Sequence, residues 1–391
     1  MVRCAGGLAL GPDLLHAARE AAAQARSALG DVVPDLGCVF VTGTDHALVE
    51  AALLVAGDRL GARTSIGCSA YGVIGPAGAA EATASVSVWA ASLPGVGLRA
   101  FHLEVLPTDD SVVVVGMPKQ RPDDRVCVLL ADPWTFPVEG FVNGSGGAMP
   151  GLPLVGGLSH GARGPASSRL LVDGRTKDRG AVGVVVGGDA QVHTLVSQGC
   201  RPVGPAMTVT ASEGNVLLGL AGRPALDRLR EVLADLSATD RSLASRGLQM
   251  GVALDDYAEH PGQGDFLVRG IVGADEDRGG LAVGDVVPVG RTVRFQVRDA
   301  DAASADLRAV LARFRVESEV EDVAGALLFS CNGRGRALFP DADHDVRLVS
   351  AGLGTANVGG FMASGEIGPV GGRNHVHGYT ASMLLVGGGR P

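Results

Sequence analysis

The sequence predicts a two-lobed protein of the α+β or α/β class, with mixed β-sheets covered by helices and an internal strand-turn-strand repeat. Three observations support this prediction. The 391 residues exceed the size at which one hydrophobic core usually stops growing. Short apolar runs of strand length alternate with helical segments. A glycine-punctuated turn also occurs near each end of the chain, which indicates a duplicated unit.

The composition restricts the core and the partners. Hydrophobic residues make up 46% of the chain but aromatic residues only 4%, so the core must be built mainly from Val, Leu and Ala. The net charge of −9 and the lack of a basic cluster argue against nucleic acid as a partner. The cysteines are dispersed without CxxC pairing, and we expect reduced thiols. They are Cys4, Cys38, Cys68, Cys127, Cys200 and Cys331.

No segment of the sequence has the features of a membrane span or a secretion signal. The apolar runs are far shorter than the ~20 residues that cross a bilayer. The N-terminal stretch soon meets Gly, Pro and Asp rather than a long apolar run and a cleavage site. We therefore expect no membrane insertion and a cytoplasmic location.

The first elements follow from local signals. Residues 16–29 are Ala-rich and end at Gly30, which predicts a helix with a glycine at its C-terminal end. A buried strand is predicted over residues 38–41, and a second helix over 45–60 with Asp45 as its N-cap and Gly61 at its end. In residues 83–90, valine alternates with serine, the pattern of a half-buried strand.

The same order recurs near the C-terminus. Residues 326–330 predict a strand, 360–371 a glycine-rich turn region and 379–386 a closing strand. Aligning this turn with the first one gives seven identities in twelve positions. The first copy has Gly67, Ala70, Gly72, Ile74, Gly75, Pro76 and Gly78, and the second has Gly360, Ala363, Gly365, Ile367, Gly368, Pro369 and Gly371.

A looser third copy lies between these two. It consists of a strand over 126–130, a glycine turn over 156–161 and a strand over 181–186. Three such units predict mixed sheets covered by helices.

The longer helical candidates, residues 225–236 and 305–316, follow a Gly/Pro cluster at 199–205. This cluster places the domain boundary, giving domains 1–204 and 205–391. A loop rich in Gly and Pro is predicted over 143–153, and a charged turn over 275–280.

The best local site signal follows the predicted strand at 326–330. Cys331 and Asn332 begin a glycine-rich turn there, at the kind of sheet edge where α/β proteins bind ligands. Arg334 offers a planar fork for a carboxylate or phosphate. In the alternative interpretation, Arg334 and Arg336 are solvated turn residues that pair with Asp341 or Asp343.

Glu366 is the second candidate binding residue. Glycines at Gly365 and Gly368 allow a ligand to approach the backbone closely. Its carboxylate suits an ammonium group, so Arg334 and Glu366 together would fit the two ends of an amino acid. The alternative is a structural ion pair between these two side chains.

Two further features suggest other chemistry. Cys68 and Ser69, in the first glycine turn, are further candidate ligand contacts. Cys68-Ser69 and Cys331 also raise the possibility of a cysteine-dependent hydrolase or acyl-transfer enzyme, but the sequence fixes no base and orienting group for either thiol. A cysteine in a glycine turn more often serves packing. His375 and His377 would share one face of a strand and could begin a metal or haem site, although two ligands are too few to define one.

Five motifs in order resemble the FIST family, named for F-box and intracellular signal transduction proteins. The resemblance covers nearly the whole chain, and the pair of motifs nearest the C-terminus is the most distinctive. The motifs are Ile66-Gly-Cys-Ser-Ala-Tyr-Gly72, Val155-Gly-Gly157, Ser197-Gln-Gly-Cys-Arg-Pro-Val-Gly204, Phe329-Ser-Cys-Asn-Gly-Arg-Gly335 and Gly360-Phe-Met-Ala-Ser-Gly-Glu-Ile-Gly-Pro369.

This resemblance implies a bacterial sensory module with an N- and a C-terminal FIST domain. The family is proposed to bind small molecules such as amino acids, so the expected partners are a small ligand and a signalling protein. No cofactor is expected, with haem as the alternative because a branch of the family is associated with it. Both the residues and the resemblance favour binding over catalysis.

Overall fold

A computed structural model describes residues 1–76, 78–109, 111–161, 164, 167–258, 262–320 and 322–388. The chain forms two compact units. The first unit contains residues 1–196, 307–376 and 380–391, and the second contains residues 197–306 and 377–379. These units divide the chain by compactness, whereas the predicted domains, 1–204 and 205–391, are continuous in sequence. The predicted domain division stays a prediction.

The described residues contain seven helices and many short strands. The helices are α1 (Leu14–Leu29), α2 (His46–Leu60), α3 (Val138–Ala148), α4 (Ala225–Asp235), α5 (Ala238–Ser245), α6 (Ala300–Glu317) and α7 (His344–Leu353). The strands are β1 (Arg3–Leu10), β2 (Leu36–Thr42), β3 (Thr64–Ser69), β4 (Gly72–Gly75), β5 (Gly78–Glu81), β6 (Ser85–Ser92), β7 (Val96–Pro107), β8 (Val112–Val115), β9 (Asp124–Ala131), β10 (Leu154–Leu158), β11 (Leu170–Val172), β12 (Arg175–Lys177), β13 (Ala181–Gly188), β14 (Val192–Gln198), β15 (Cys200–Pro202), β16 (Met207–Glu213), β17 (Val216–Leu220), β18 (Arg223–Pro224), β19 (Leu248–Ala253), β20 (Phe266–Asp275), β21 (Gly280–Val283), β22 (Thr292–Arg298), β23 (Val323–Cys331), β24 (Val358–Ala363), β25 (Glu366–Val370), β26 (Arg373–His377) and β27 (Thr380–Gly387).

Three mixed sheets form the first unit, and they share one plan. Sheet A has the order β1-β6-β2-β3-β11-β12, sheet B β26-β25-β10-β9-β13-β7-β8, and sheet C β14-β27-β23-β24-β4-β5. Each sheet contains one parallel pair, β2–β3, β9–β10 or β23–β24, with an antiparallel strand beside it. The predicted internal repeat is therefore confirmed, and the looser middle copy is a true third unit.

One glycine occupies the same structural position in each copy of the repeat. These glycines are Gly67, Gly156 and Gly360. A Cβ added at these positions would lie 2.3, 2.0 and 1.9 Å from the carbonyl oxygen of the neighbouring parallel strand. Real Cβ atoms do not approach an oxygen so closely, so no other residue fits without moving the backbone. This contact aligns the three copies residue by residue.

Each repeat donates its hairpin to the sheet of another repeat. The hairpin β4–β5 of the first repeat pairs with β24 in sheet C, β11–β12 of the second pairs with β3 in sheet A, and β25–β26 of the third pairs with β10 in sheet B. The exchange closes in a circle, so each sheet is completed by another part of the chain.

The inner faces of the three sheets share one apolar core, and helices cover the outer faces. Phe40, Phe329 and Phe361 stack near its centre, with ring centroids 4.9 and 5.5 Å apart. α1 and α2 pack on sheet A, α3 on sheet B, and α7 with the C-terminal part of α6 on sheet C. Mixed sheets covered by helices are thus observed, as predicted.

Burial on both faces corrects the expectation for residues 83–90. β6 is buried along its whole length rather than half-buried. Its serines face the core but are satisfied locally, because Ser87 Oγ donates to the carbonyl of Ile74 at 2.5 Å. Alternation of small polar and apolar residues therefore marks a fully buried strand in this sheet.

The predicted loop over 143–153 is wrong in its first half, where α3 runs to Ala148. Its glycines disfavour a helix, but tertiary packing decides the outcome. Val142 and Ser145 face the core, and Ser145 Oγ donates to the Val142 carbonyl at 2.6 Å. By contrast, the predicted caps of α2 are confirmed, with the Asp45 side chain accepting from two amides and Gly61 left-handed at φ 65°.

The second unit is built around one sheet, in which the order is β15-β22-β16-β17-β21-β20-β19. β19 also pairs with β22, which returns the path on itself and gives a barrel-like sheet with its own apolar core. In the part of the chain that the structure describes, no helix is both long and apolar enough to cross a membrane. All six cysteines are buried, and none of them forms a disulfide in the part of the chain that the structure describes.

Candidate functional site

Glu366 occupies a position that the other two repeats fill with apolar residues. The residues that face the repeated glycines are Ile74, Leu171 and Ile367. The residues directly before them are Val73, Leu170 and Glu366, and all three are fully buried. Val73 and Leu170 belong to the shared inner core. The third repeat therefore has a carboxyl group at a core position where the other two repeats have an apolar side chain.

Thr380 binds one of the two carboxyl oxygens of Glu366. Its Oε2 accepts hydrogen bonds from the Thr380 backbone N–H at 3.0 Å and from the Thr380 hydroxyl at 2.8 Å. Its Oε1 is also buried, and within the described residues it has no hydrogen-bond partner. Buried polar atoms nearly always have partners, so this oxygen calls for an explanation.

Burial raises the pKa of Glu366 to about 8. The Thr380 hydrogen bonds, the nearby Cys331 thiol and the charge of Arg334 lower the pKa, but they do not offset the loss of water. With that pKa the carboxyl is about 90% neutral at pH 7. The group is therefore a carboxylic acid rather than a carboxylate under ordinary conditions.

Arg334 is committed to a residue of the protein, Asp345. Its Nε donates to Asp345 Oδ2 at 2.7 Å and its Nη2 to Oδ1 at 3.0 Å, the bidentate geometry of a strong ion pair. The Ser330 hydroxyl donates to the same Oδ2 at 2.6 Å, and His344 Nδ1 lies 2.9 Å from Oδ1. Only 1% of Arg334 is exposed.

This network determines the charge of Asp345. Burial by itself would raise the pKa of Asp345, but the Arg334 charge and the hydrogen bonds from His344, Arg334 and Ser330 hold it well below its ordinary value. Asp345 is therefore ionised. Together with Arg334, which lies in the loop after β23, it forms an ion pair with no net charge.

The structure corrects one alternative from the sequence. Arg334 is not a solvated turn residue paired with Asp341 or Asp343, because it is buried and bound to Asp345. Asp341 binds Arg347 instead, and Asp343 accepts from the Ala79 amide. Asp345 was missed because no motif spacing links it to Arg334. Its place in the first turn of α7 is the available signal.

Five of the predicted residues lie together at the carboxyl ends of β23 and β24. They are Cys331, Asn332, Arg334, Gly365 and Glu366. The Asn332 amide donates to the Ala363 carbonyl at 2.8 Å, and Cys331 Sγ accepts from the Gly333 amide at 3.4 Å. These contacts hold the loop after β23 against the turn before β25.

Cys68 and Ser69 lie at the corresponding end of the first repeat, on β3. Ser69 Oγ accepts from the Arg169 amide at 3.0 Å, so the hydroxyl connects β3 to the segment before β11. Burial raises the pKa of the Cys68 thiol well above its ordinary value. Such a thiol stays protonated, which fits a packing role better than that of a nucleophile.

A second polar cluster, missed from the sequence, lies beside this site. Tyr71, His160 and Ser364 each lie four residues after the repeated glycine. His160 Nδ1 is 3.3 Å from Ser364 Oγ, and the Tyr71 ring meets the His160 ring edge-on with centroids 5.5 Å apart. Burial lowers the pKa of His160. The repeat spacing is the signal that would have found this cluster.

Comparison with known protein families matches two models along the chain, the FIST N domain over residues 35–223 and the FIST C domain over residues 225–369. The chain belongs to the FIST family. FIST domains are sensory and signal-transduction domains. The Glu366 site lies within the FIST C match, and Cys68, Ser69 and His160 lie within the FIST N match.

Relatives of this FIST chain occur in mycobacteria. An uncharacterized protein of Mycobacterium tuberculosis strain H37Rv is 41% identical over 386 residues, which is 98% of this chain and 99% of the relative. An uncharacterized protein of Mycobacterium bovis is 40% identical over 387 residues, or 98% of each chain. Neither name states a ligand or an activity.

The two histidines considered as alternative haem ligands of this FIST chain both lie within its fold. His375 and His377 lie on β26, and only 4% of His377 is exposed. Both residues already have interaction partners within the protein. Among the described residues, no group of three His, Cys, Asp or Glu side chains is placed to hold a metal ion.

Proposed function

We propose that this FIST chain is a sensory protein that binds a small ligand at Glu366 and signals through a protein partner. One observation supports the proposal most strongly, the buried and half-satisfied carboxyl at a position where the other repeats keep Val73 and Leu170. Burying a polar atom without a partner costs roughly 1–3 kcal/mol. A position maintained only for packing would hold an apolar residue there.

The surrounding residues take different roles in this proposal. Cys331, Asn332 and Gly365 are the proposed ligand contacts, and they lie in the loop after β23 and the turn before β25. Arg334 acts as a positioning residue, since its fork binds Asp345 and fixes the loop that carries Cys331. Cys68 and Ser69, which we predicted as further ligand contacts, support the corresponding corner of the first repeat.

An amino acid or a similar metabolite is the ligand class that the sequence favours. An ammonium group would need the ionised form of Glu366, so its binding would release the proton that the buried carboxyl holds. Lowering the pH from 8 to 6 should then weaken such binding about 50-fold, as the ionised fraction falls. A ligand that pairs with the neutral acid would bind equally well over this range.

A thermal-shift screen of amino acids and related metabolites tests the proposal. A ligand at 100 times its Kd should stabilise the protein by about 2.7 kcal/mol. The decisive variant is Glu366→Val, which gives the third repeat the residue found in the first. We expect it to fold and to lose every ligand shift seen with the wild type. The idea is refuted if this variant responds to the same ligands.

The signalling half of the proposal includes a cytoplasmic location in a bacterium. It rests on the sensory character of FIST domains and on the mycobacterial relatives. Affinity purification from the native host, with and without the ligand found in the screen, should recover a partner in a ligand-dependent manner. Equal recovery in both conditions would contradict a sensory role for the bound ligand.

Cysteine chemistry is the second candidate function. Cys331 lies beside the neutral Glu366 carboxyl and accepts from the Gly333 amide. If Cys331 were an activated nucleophile, iodoacetamide at neutral pH would label it well before the other five thiols. Slow and uniform labelling would remove the enzyme hypothesis and leave binding.

A further inference from the structure

The hydrogen bonds of Glu366 determine which of its oxygens carries the proton. Oε2 accepts two hydrogen bonds, from the N–H and the O–H of Thr380. A carboxyl oxygen has two lone pairs for hydrogen bonding, and both are used here. The proton of the neutral acid must therefore reside on Oε1.

Oε1–H is thus a hydrogen-bond donor in a buried place without an acceptor. Within the described residues no hydrogen bond to Oε1 is formed. The Cys331 thiol donates a hydrogen bond to the carboxyl that lowers its pKa, but as an acceptor for the Oε1 proton its sulfur is weak. A ligand oxygen that accepts this hydrogen bond would remove the cost of leaving the donor unpaired.

The charges around Glu366 disfavour an incoming cation. Arg334 and Asp345 are the charged groups of the adjoining network, and they neutralise each other through their bidentate pair. His344 is bound on the Asp345 side, and Ser330 and Thr380 are uncharged. An ammonium placed at Glu366 would meet no unpaired carboxylate and would also lie near the Arg334 charge.

We propose that the site recognises the carbonyl oxygen of a small apolar molecule, which accepts a hydrogen bond from Glu366 Oε1–H. This inference rests on the proposed function and specifies its ligand class. The apolar body of the ligand is expected because the matching positions in the other repeats, Val73 and Leu170, pack in the inner core.

A glutamine at position 366 separates the two ligand classes. The amide of Glu366→Gln can accept from Thr380 through its oxygen and donate to the ligand through its NH₂ group, so it reproduces the neutral acid. A ligand carbonyl should bind this variant within about threefold of the wild type. A ligand ammonium, which needs a negative charge, should lose at least tenfold.

The probes share one carbon skeleton and differ in the head group: isovaleramide, isovalerate and isoamylamine. Binding is measured by thermal shift and by titration calorimetry at pH 6.5, on the full chain. We expect one or both carbonyl compounds to bind the wild type and Glu366→Gln, the amine to bind neither, and Glu366→Val to bind none. The amide and the carboxylate together show whether the carbonyl must be neutral.

The outcomes are distinct. If the amine binds the wild type and Glu366→Gln loses it, the carbonyl class is wrong but ligand binding at Glu366 stands. The carbonyl class is equally wrong if the metabolite screen yields a ligand without a carbonyl group that depends on Glu366. If nothing in the screen or the probe set stabilises the wild type, the proposed function fails, and this inference fails with it.

Discussion

Replacing Glu366 with Gln should change how the stability of the protein depends on pH. Burial raises the pKa of Glu366 from 4.5 to about 8, so between these values the folded state holds a proton that the unfolded chain has released. The stabilisation that this proton provides is complete below pH 4.5. It declines as the pH rises and is lost once the pH passes 8. Glutamine does not titrate and should remove this dependence.

The size of the effect follows from the shift. Each pH unit is worth about 1.4 kcal/mol for one proton, so the difference between wild type and Glu366→Gln should change by on the order of 5 kcal/mol between pH 4.5 and 8. At pH 5 the two proteins should have similar stability, since glutamine mimics the neutral acid. At pH 8 the wild type should be the less stable protein.

Urea unfolding at half-unit steps of pH would measure this difference. Trp89 is fully buried in the first unit and reports its unfolding by fluorescence. The matched control is Glu276→Gln, which removes an exposed carboxyl and should follow the wild type at every pH. A constant difference between wild type and Glu366→Gln from pH 5 to 8 would refute the assignment of a neutral buried acid.

Three further predictions concern the scaffold. Arg334→Ala should lower the free energy of unfolding by about 3–5 kcal/mol, because it leaves Asp345 buried and unpaired. The double change Arg334→Leu with Asp345→Leu should lower it clearly less, since neither charge remains. The denaturant midpoints of the two variants measure this difference, and equal losses of stability would contradict the prediction. Gly360→Ala should prevent stable folding, since its Cβ would lie 1.9 Å from a carbonyl oxygen. The matched control is Gly147→Ala in α3, where a Cβ would meet nothing within 4 Å and the change should stabilise the protein by about 0.5–1 kcal/mol. Circular dichroism compares the two variants, and a well-folded Gly360→Ala would disprove the shared backbone contact. Thr380→Val should raise the pKa of Glu366 further, because it removes the hydroxyl hydrogen bond that lowers this pKa. The pH at which the wild-type loss of stability levels off should then move upward, and an unchanged profile would exclude the Thr380 hydroxyl as a partner.

The sequence determined the repeat and the elements that depend on local signals. Gly67 and Gly360, like Ile74 and Ile367, were matched from the letters alone, and the strand registers place each pair in equivalent positions. This succeeds because a glycine forced by a backbone contact cannot change. The caps of α2 were equally readable, because Asp45 and its amides are neighbours in sequence.

Only the tertiary structure decided what each local signal is used for. The hairpin after each parallel pair crosses to another sheet, and no residue within the hairpin specifies that choice. The glycines of α3 suggested a loop, but burial of Val142 and Ser145 against sheet B makes a helix.

The chemistry of the site was likewise a tertiary result. The sequence identified Arg334 and Glu366 as the polar residues to examine, and both lie at the carboxyl ends of the third parallel pair. Their partners, Asp345 and Thr380, come from other elements and were not predictable from spacing. The charge of a carboxyl depends on what surrounds it in space. The sequence therefore determined that Glu366 is present, and burial in the three-sheet core decided that it is neutral.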